Sequence, residues 1–159
     1  MYTNLKVNFN DIDIFIFDFD GVLTPNTVFI DQNGKESVQC SRSDGLAFDV
    51  LNKLNKVSYI VSTEKNSVVA ARAKKLNILS MQKVENKLEA IKTIVNKHES
   101  DLKRVLFVGN DVNDLTSLQF VGYPVIVSNS DISLFKYNFR ILKSKGGNGA
   151  LKELLNLLK

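Results

Sequence analysis

The chain has 159 residues, 44% apolar and 24% charged, with a net charge of +4 and a single cysteine. That is enough for one domain with a substantial core, and the balance is too ordinary for a disordered or fibrous chain. No apolar run approaches the ~20 residues that span a bilayer, one cysteine excludes an intrachain disulfide, and dispersed lysines with 10 Phe and no Trp offer no basic, aromatic-interleaved tract for nucleic acid. Residues 1–10 are polar with one lysine and lack the pattern of a signal peptide, so a cytoplasmic location is the expectation.

In chain order, residues 14–17 (Ile-Phe-Ile-Phe) form an apolar run suited to a strand buried on both faces of a parallel sheet. It leads into Asp18-Phe19-Asp20-Gly21-Val22-Leu23-Thr24. Side chains i and i+2 of an extended chain point the same way, so Asp18 and Asp20 converge on one site. Two carboxylates at the end of a buried strand are costly unless a cation meets them. Residues 28–40 read as a β-hairpin, with Asn33-Gly34 as the signature of a type I′ turn. A hairpin placed there is either a flap over the site or an oligomer contact. Ser43-Asp44-Gly45 opens a helix, with Ser43 or Asp44 as its N-cap and Leu46, Phe48, Val50, Leu51 and Leu54 among its apolar positions.

A second strand spans 57–61 and ends at Ser62-Thr63-Glu64, before a helix over 66–76 and a short strand over 78–81. A helix runs from 86 to 98, with Lys87 in its first turn. The strand over 104–108 ends in Gly109-Asn110-Asp111-Val112-Asn113-Asp114, followed by a short helix to 119. A strand over 123–127, a short helix capped by Asp131, a strand over 139–142, the loop Gly146-Gly147-Asn148-Gly149 and an amphipathic helix over 150–158 complete the chain. Alternating strands and helices predict βαβ units. The expected fold is an α/β, three-layer, Rossmann-like domain over 1–159 with a mostly parallel sheet.

Ligands of such sheets bind at the C-terminal ends of the strands. Asp18/Asp20, Ser62/Thr63 and Asp111/Asp114 all follow strands, and Lys87 opens a helix. Singly each has a bland reading: a turn, an N-cap, a solvated lysine, a helix cap. Their shared address points to chemistry. Asp18 and Asp111 suit a hard cation such as Mg²⁺, which keeps waters and a phosphate as its other ligands. Ser62 and Lys87 suit the oxygens of a phosphoryl group. Asp20 suits proton transfer to a leaving oxygen and from a water.

Asp18-Phe19-Asp20-Gly21-Val22-Leu23-Thr24 resembles the first motif of the haloacid dehalogenase superfamily, DxDGxxT. Ser62, Lys87 and Gly109-Asn110-Asp111-Val112-Asn113-Asp114 match its second, third and fourth motifs in order and spacing. No segment between these motifs is long enough for a cap domain. The early hairpin, Ser43-Asp44-Gly45 and the tail over 145–158 resemble the capless phosphatases of 3-deoxy-sugar acids. These act on 3-deoxy-manno-octulosonate 8-phosphate or on deoxynononate and neuraminate 9-phosphates, in lipopolysaccharide or sialic acid biosynthesis. Similar domains are fused to acylneuraminate cytidylyltransferases.

The resemblance implies a Mg²⁺-dependent phosphatase with Asp18 as nucleophile, forming an aspartyl-phosphate, and Asp20 as general acid/base. It implies Asp18, the Phe19 backbone carbonyl and Asp111 as metal ligands, with the Asp20 carbonyl a further candidate and Asp114 supporting from behind. It implies phosphate contacts from Ser62, Thr63, Lys87 and Gly21, and substrate contacts from Glu64, Lys65, Asp44 and Asn148. The expected partners are a phosphorylated sugar acid and three copies of the chain, assembled as a homotetramer through the hairpins; neither nucleic acid nor membrane is expected.

Two positions depart from the octulosonate type. Thr63-Glu64-Lys65 stands where Gly-Arg usually follows the second-motif hydroxyl, and Glu64 is closer to the deoxynononate type. Asn148 replaces the Arg of the Gly-Gly-Arg-Gly-Ala tail, leaving Arg42, Lys65 or Lys145 to meet a substrate carboxylate. Two other readings compete: a phospho-receiver domain, disfavoured by the order of its acidic groups, and a non-catalytic oligomerising module, disfavoured by the presence of Asp18, Asp20 and Asp111. His98 reads as a surface or helix-capping residue and Cys40 as a small core or interface residue.

Overall fold

The computed structural model describes residues 7–158, so the part of the signal-peptide reading that rests on residues 1–6 lies outside the described residues. Six strands form one sheet: β1 (Ile14–Phe17), β4 (Val57–Val61), β5 (Leu79–Met81), β6 (Val105–Gly109), β7 (Tyr123–Ile126) and β8 (Arg140–Ile141). Their order is β5-β4-β1-β6-β7-β8 and every pairing is parallel. The remaining strands, β2 (Phe29–Ile30) and β3 (Glu36–Ser37), form a separate antiparallel hairpin.

The alternation of β1 divides the core. Phe15 and Phe17 face helices α1 (Arg42–Lys53), α2 (Val68–Leu76) and α5 (Ala150–Leu157). Ile14 and Ile16 face α3 (Lys87–Lys97) and α4 (Leu115–Phe120). All four are at most 1% exposed, each contributing about 2 kcal/mol of apolar burial. Helix α3 shows why these segments are helical: the Asn86 side chain accepts from the Glu89 N–H, and Leu88, Ile91, Ile94 and Val95 place one apolar stripe on the sheet. The result is the three-layer arrangement expected from the alternating pattern.

Three local expectations need correction. The hairpin turn is not type I′: Ile30 pairs with Glu36, leaving a longer loop in which Gly34 alone has a positive φ of 78° and the Asp31 carboxylate accepts from the Asn33 and Lys35 N–H groups. An Asx turn with a left-handed glycine after it outcompetes the Asn-Gly turn. Helix α1 starts one turn earlier than Ser43 or Asp44 would place it, with Ser41 as its N-cap. Its apolar stripe is also wider than its buried face: Ala47, Phe48 and Leu51 are buried, whereas Leu46, Val50 and Leu54 are exposed. Among the described residues no helix is long and apolar enough to cross a membrane.

Candidate active site

Strand β1 lies between β4 and β6, where the winding of the sheet reverses, and its C-terminal end opens a crevice. Pairing continues one residue past the strand, because the Asp18 N–H donates to the Val108 carbonyl at 2.9 Å. The chain then turns tightly. The Phe19 carbonyl accepts from the N–H groups of Val22, Leu23 and Thr24, and the buried Thr24 hydroxyl oxygen accepts from the N–H groups of Gly21 and Asn26. The tail loop braces this turn: Gly147 N–H donates to the Val22 carbonyl at 2.9 Å, and Gly146 lies so close that a Cβ there would sit 1.8 Å from the Gly21 carbonyl oxygen.

Three charged side chains are buried at the floor of the crevice. Lys87 Nζ is 2.8 Å from Asp18 Oδ1 and 2.6 Å from Asp114 Oδ1. None of the three residues is more than 5% exposed. Asp18 Oδ1 also accepts from the Phe19 N–H at 2.7 Å, and Asp114 Oδ2 accepts from the Asn110 and Asp111 N–H groups at 2.9 and 3.2 Å. Two carboxylates thus share one ammonium. Burial, then the charge of Asp114, push the Asp18 carboxyl up to about 7 against the pull of Lys87. Burial alone would lower Lys87, but its two carboxylates hold the ammonium above its ordinary value. The floor is short of positive charge, the condition under which a buried anion calls for a further cation.

Donors for such a cation are present. Asp18 Oδ2 and the Asp20 carbonyl oxygen lie 3.2 and 2.9 Å from the same end of the Asn110 side-chain amide. Adjacent ligands of an octahedral Mg²⁺ with 2.0–2.1 Å bonds sit about 2.9 Å apart, so the spacing fits this ion. Among the described residues no three Asp, Glu, His or Cys side chains gather to hold a metal alone; a site here mixes carboxylate, carbonyl and amide oxygens.

Two expected ligands are placed otherwise. The Phe19 carbonyl is turned into the loop and accepts three N–H groups, which leaves the Asp20 carbonyl as the backbone donor. Asp111 caps the short turn Val112–Asp114, with its Oδ1 accepting from the Val112 N–H at 2.6 Å.

Above the floor, Ser62 is buried at the end of β4, and its Oγ accepts from the Glu64 N–H at 3.0 Å. The hydroxyl proton remains available to a phosphoryl oxygen. Thr63 and Lys65 are exposed. Glu64 closes the loop before α2, with Oε1 accepting from the N–H groups of Lys65 and Asn66. A cleft of about 220 Å³ is lined by Asp20, Val28, Glu36, Val38, Glu64, Asn66 and Val68. The hairpin is therefore a wall beside Asp20. Burial, then the charge of Glu64, raise the Asp20 carboxyl, with Lys87 opposing and Glu36 adding to the rise.

Three further expectations change. Gly21 gives its N–H to Thr24 and not to a phosphate. Asp44, 2% exposed, closes the start of α5 through the Leu151 and Lys152 N–H groups, which takes it out of the substrate cleft. Asn148 is exposed at the tip of the tail loop, its N–H bonded to the Lys145 carbonyl. His98 caps α3 as expected and its Nε2 lies 3.0 Å from the Tyr59 hydroxyl. Cys40 is half-buried against the core. Sequence reasoning missed Asn110 beside Asp18 and Thr24 within the turn; the T of DxDGxxT signalled the second.

The profile of the haloacid dehalogenase-like hydrolases matches residues 47–154. A crystal structure of a HAD family hydrolase from Streptomyces avermitilis MA-4680 is 38% identical, with a TM-score of 0.93 over 98% of this chain and 89% of that one. The 3-deoxy-D-manno-octulosonate 8-phosphate phosphatase of Salmonella typhi is 27% identical over 157 residues, 98% of this chain and 84% of its own. The phosphatase of the same name from Moraxella catarrhalis, crystallised with magnesium, phosphate and a KDO molecule, is 26% identical, with a TM-score of 0.86 over 99% of this chain and 88% of that one.

Proposed function

This chain belongs to the haloacid dehalogenase-like hydrolases, and we propose that it is a Mg²⁺-dependent phosphatase of a 3-deoxy-2-keto sugar acid of eight or nine carbons. The observation that carries the reading is the buried floor, where one lysine, at 2.8 and 2.6 Å, serves two carboxylates at the C-terminal edge of the sheet. Relatives with the octulosonate 8-phosphate phosphatase name, aligned over nearly the whole chain, support the substrate class.

Asp18 attacks phosphorus, its carboxylate oxygen forming the new P–O bond as the bond to the sugar oxygen breaks. Asp20, held toward its protonated form by burial and by Glu64, gives its proton to the departing oxygen. Lys87 and the Ser62 hydroxyl meet the phosphoryl oxygens and spread the charge of the transition state. Asp20, now a carboxylate, then takes a proton from water, whose oxygen attacks phosphorus, releases phosphate and restores Asp18. Mg²⁺, held by Asp18 and the Asp20 carbonyl, would neutralise the phosphate that approaches this anionic floor. Thr63, Glu64, Lys65 and Asn148 border the space for the sugar, with Glu64 suited to accept from sugar hydroxyls.

The test is phosphate release from a panel of octulosonate 8-phosphate, deoxynononate 9-phosphate, N-acetylneuraminate 9-phosphate and simple phosphomonoesters, with Mg²⁺ and with EDTA. A sugar-acid phosphate turned over fastest, and only with the metal, is the expected result. Equal turnover of all phosphomonoesters, or metal-independent turnover, sinks it. The exposed Phe29 and Ile30 of the hairpin further support assembly into a homotetramer. Light scattering on a chain lacking residues 29–38 checks this, and an unchanged oligomer refutes it.

A further inference from the structure

We propose that Asn110, and not Asp111, is the side chain from the end of β6 that completes the Mg²⁺ site, and that its neutral amide serves both the metal-free and the metal-bound state. The inference rests on the preceding reading only for the identity of the ion.

Side chains on successive residues of an extended chain point to opposite sides. Asn110 follows β6 directly and Asp111 is extended, with φ −133° and ψ 171°. One of the two must face β1, and it is Asn110. Its backbone is fixed from both sides: its N–H donates to Asp114 Oδ2 at 2.9 Å and its carbonyl accepts from the Asp131 N–H at 2.8 Å. Its side chain is buried, at 5% exposure. One end of the amide faces Asp18 Oδ2 and the Asp20 carbonyl. The other end is wedged against Gly21, where a Cβ would come within 2.1 Å of Nδ2. The amide has no room to swing away and answers its surroundings by turning over in place.

Each orientation suits one state. With Nδ2 inward, the amide donates to Asp18 Oδ2 at 3.2 Å and to the Asp20 carbonyl at 2.9 Å, which satisfies both acceptors without a cation. With Oδ1 inward, three oxygens meet with no proton among them, at the spacing of ligands around Mg²⁺. An aspartate at 110 has no equivalent of the first state. It would place a third carboxylate beside Asp18 and Asp114, with Lys87 as their shared counter-charge. The neutral ligand therefore weakens the grip on the ion and keeps the empty floor stable.

Titration calorimetry with Mg²⁺ alone, no sugar phosphate present, tests this beside thermal melts with and without the ion. For Asn110→Asp we expect Mg²⁺ binding tighter by about tenfold, a lower melting temperature without metal, and a larger rise on adding it. Asn110→Leu should lose most of the Mg²⁺ affinity. Asp111→Asn should keep it within about twofold, since that residue caps its own turn. An Asn110→Asp chain with unchanged affinity and unchanged melts overturns the proposal. So does a loss of about tenfold or more in Asp111→Asn, which decides the matter even where Asn110→Asp does not fold. A negative substrate panel with these metal responses intact would defeat the phosphatase reading and leave the ligand assignment standing; the reverse pattern would do the opposite.

Discussion

At the C-terminal edge of the sheet this protein buries charge, and on the hairpin it exposes apolar surface. Asp18, Lys87 and Asp114 are at most 5% exposed, whereas Phe29 and Ile30 are 65% and 64% exposed. Both regions invert the ordinary rule for folding, under which charges stay wet and large apolar groups are covered. They do so in opposite directions. The floor is incomplete electrostatically: two carboxylates share one ammonium, and only a small cation fits the space. The hairpin is incomplete in apolar contact, and only a broad surface can cover it. Sites that break a folding rule without local compensation are where function is expected.

The largest effect should come from the floor. Asp18→Asn removes the nucleophile, and phosphate release should fall by about 10³-fold or more with the fold retained. Turnover near the wild-type rate at saturating Mg²⁺ would end the aspartyl-phosphate mechanism. Next, Lys87→Ala leaves two buried carboxylates unpaired, a loss of about 3–5 kcal/mol in metal-free urea unfolding. A loss below about 1 kcal/mol would mean that the floor is wetter than its burial implies.

The hairpin should answer differently. Phe29→Ser with Ile30→Ser should shrink the oligomer in light scattering yet shift the unfolding free energy of the isolated subunit by less than about 0.5 kcal/mol. Subunit destabilisation of several kcal/mol would show that these residues belong to the core of one chain.

A mostly exposed carboxylate sharpens the contrast. Burial pushes Glu153 up, but the Ser144 side chain and the Lys143 and Ser144 N–H groups, at 2.8 and 2.7 Å for the latter two, hold its carboxyl below the ordinary value. A lowered folded value means the unfolded chain binds more protons between the two values. The stabilisation is therefore present above the ordinary glutamate range and is lost as pH falls through the lowered value. Glu153→Gln should cost about 1 kcal/mol at pH 7, after allowing for solvent screening, and almost nothing in strong acid. A cost independent of pH would assign the effect to packing.

How much of this was legible varies by element. The Ile-Phe-Ile-Phe run, the carboxylates after it and the order of Ser62, Lys87 and Asp111/Asp114 predicted a parallel sheet with its site along one edge, and the fold agrees. Local signals failed where a distant group competed for the same atoms. Asp44 reads as the start of its own helix, yet it caps α5, 107 residues onward. Asn33-Gly34 reads as a tight turn, yet the Asp31 carboxylate captures two N–H groups and lengthens the loop. Leu46, Val50 and Leu54 sit on α1 at apolar positions, but α2 and α5 cover only its other side.

The sequence by itself determined the strands, their alternation with helices and the kinds of group that reach the crevice, because hydrophobic period and motif order are local and survive without coordinates. Only the tertiary structure decided which neighbour does what. Asn110 and Asp111 are adjacent in the chain and differ by two atoms, yet one faces Asp18 and the other caps a turn. That choice depends on the half-turn between successive residues and on what β1 presents across the sheet, and neither is written in the identity of the residue.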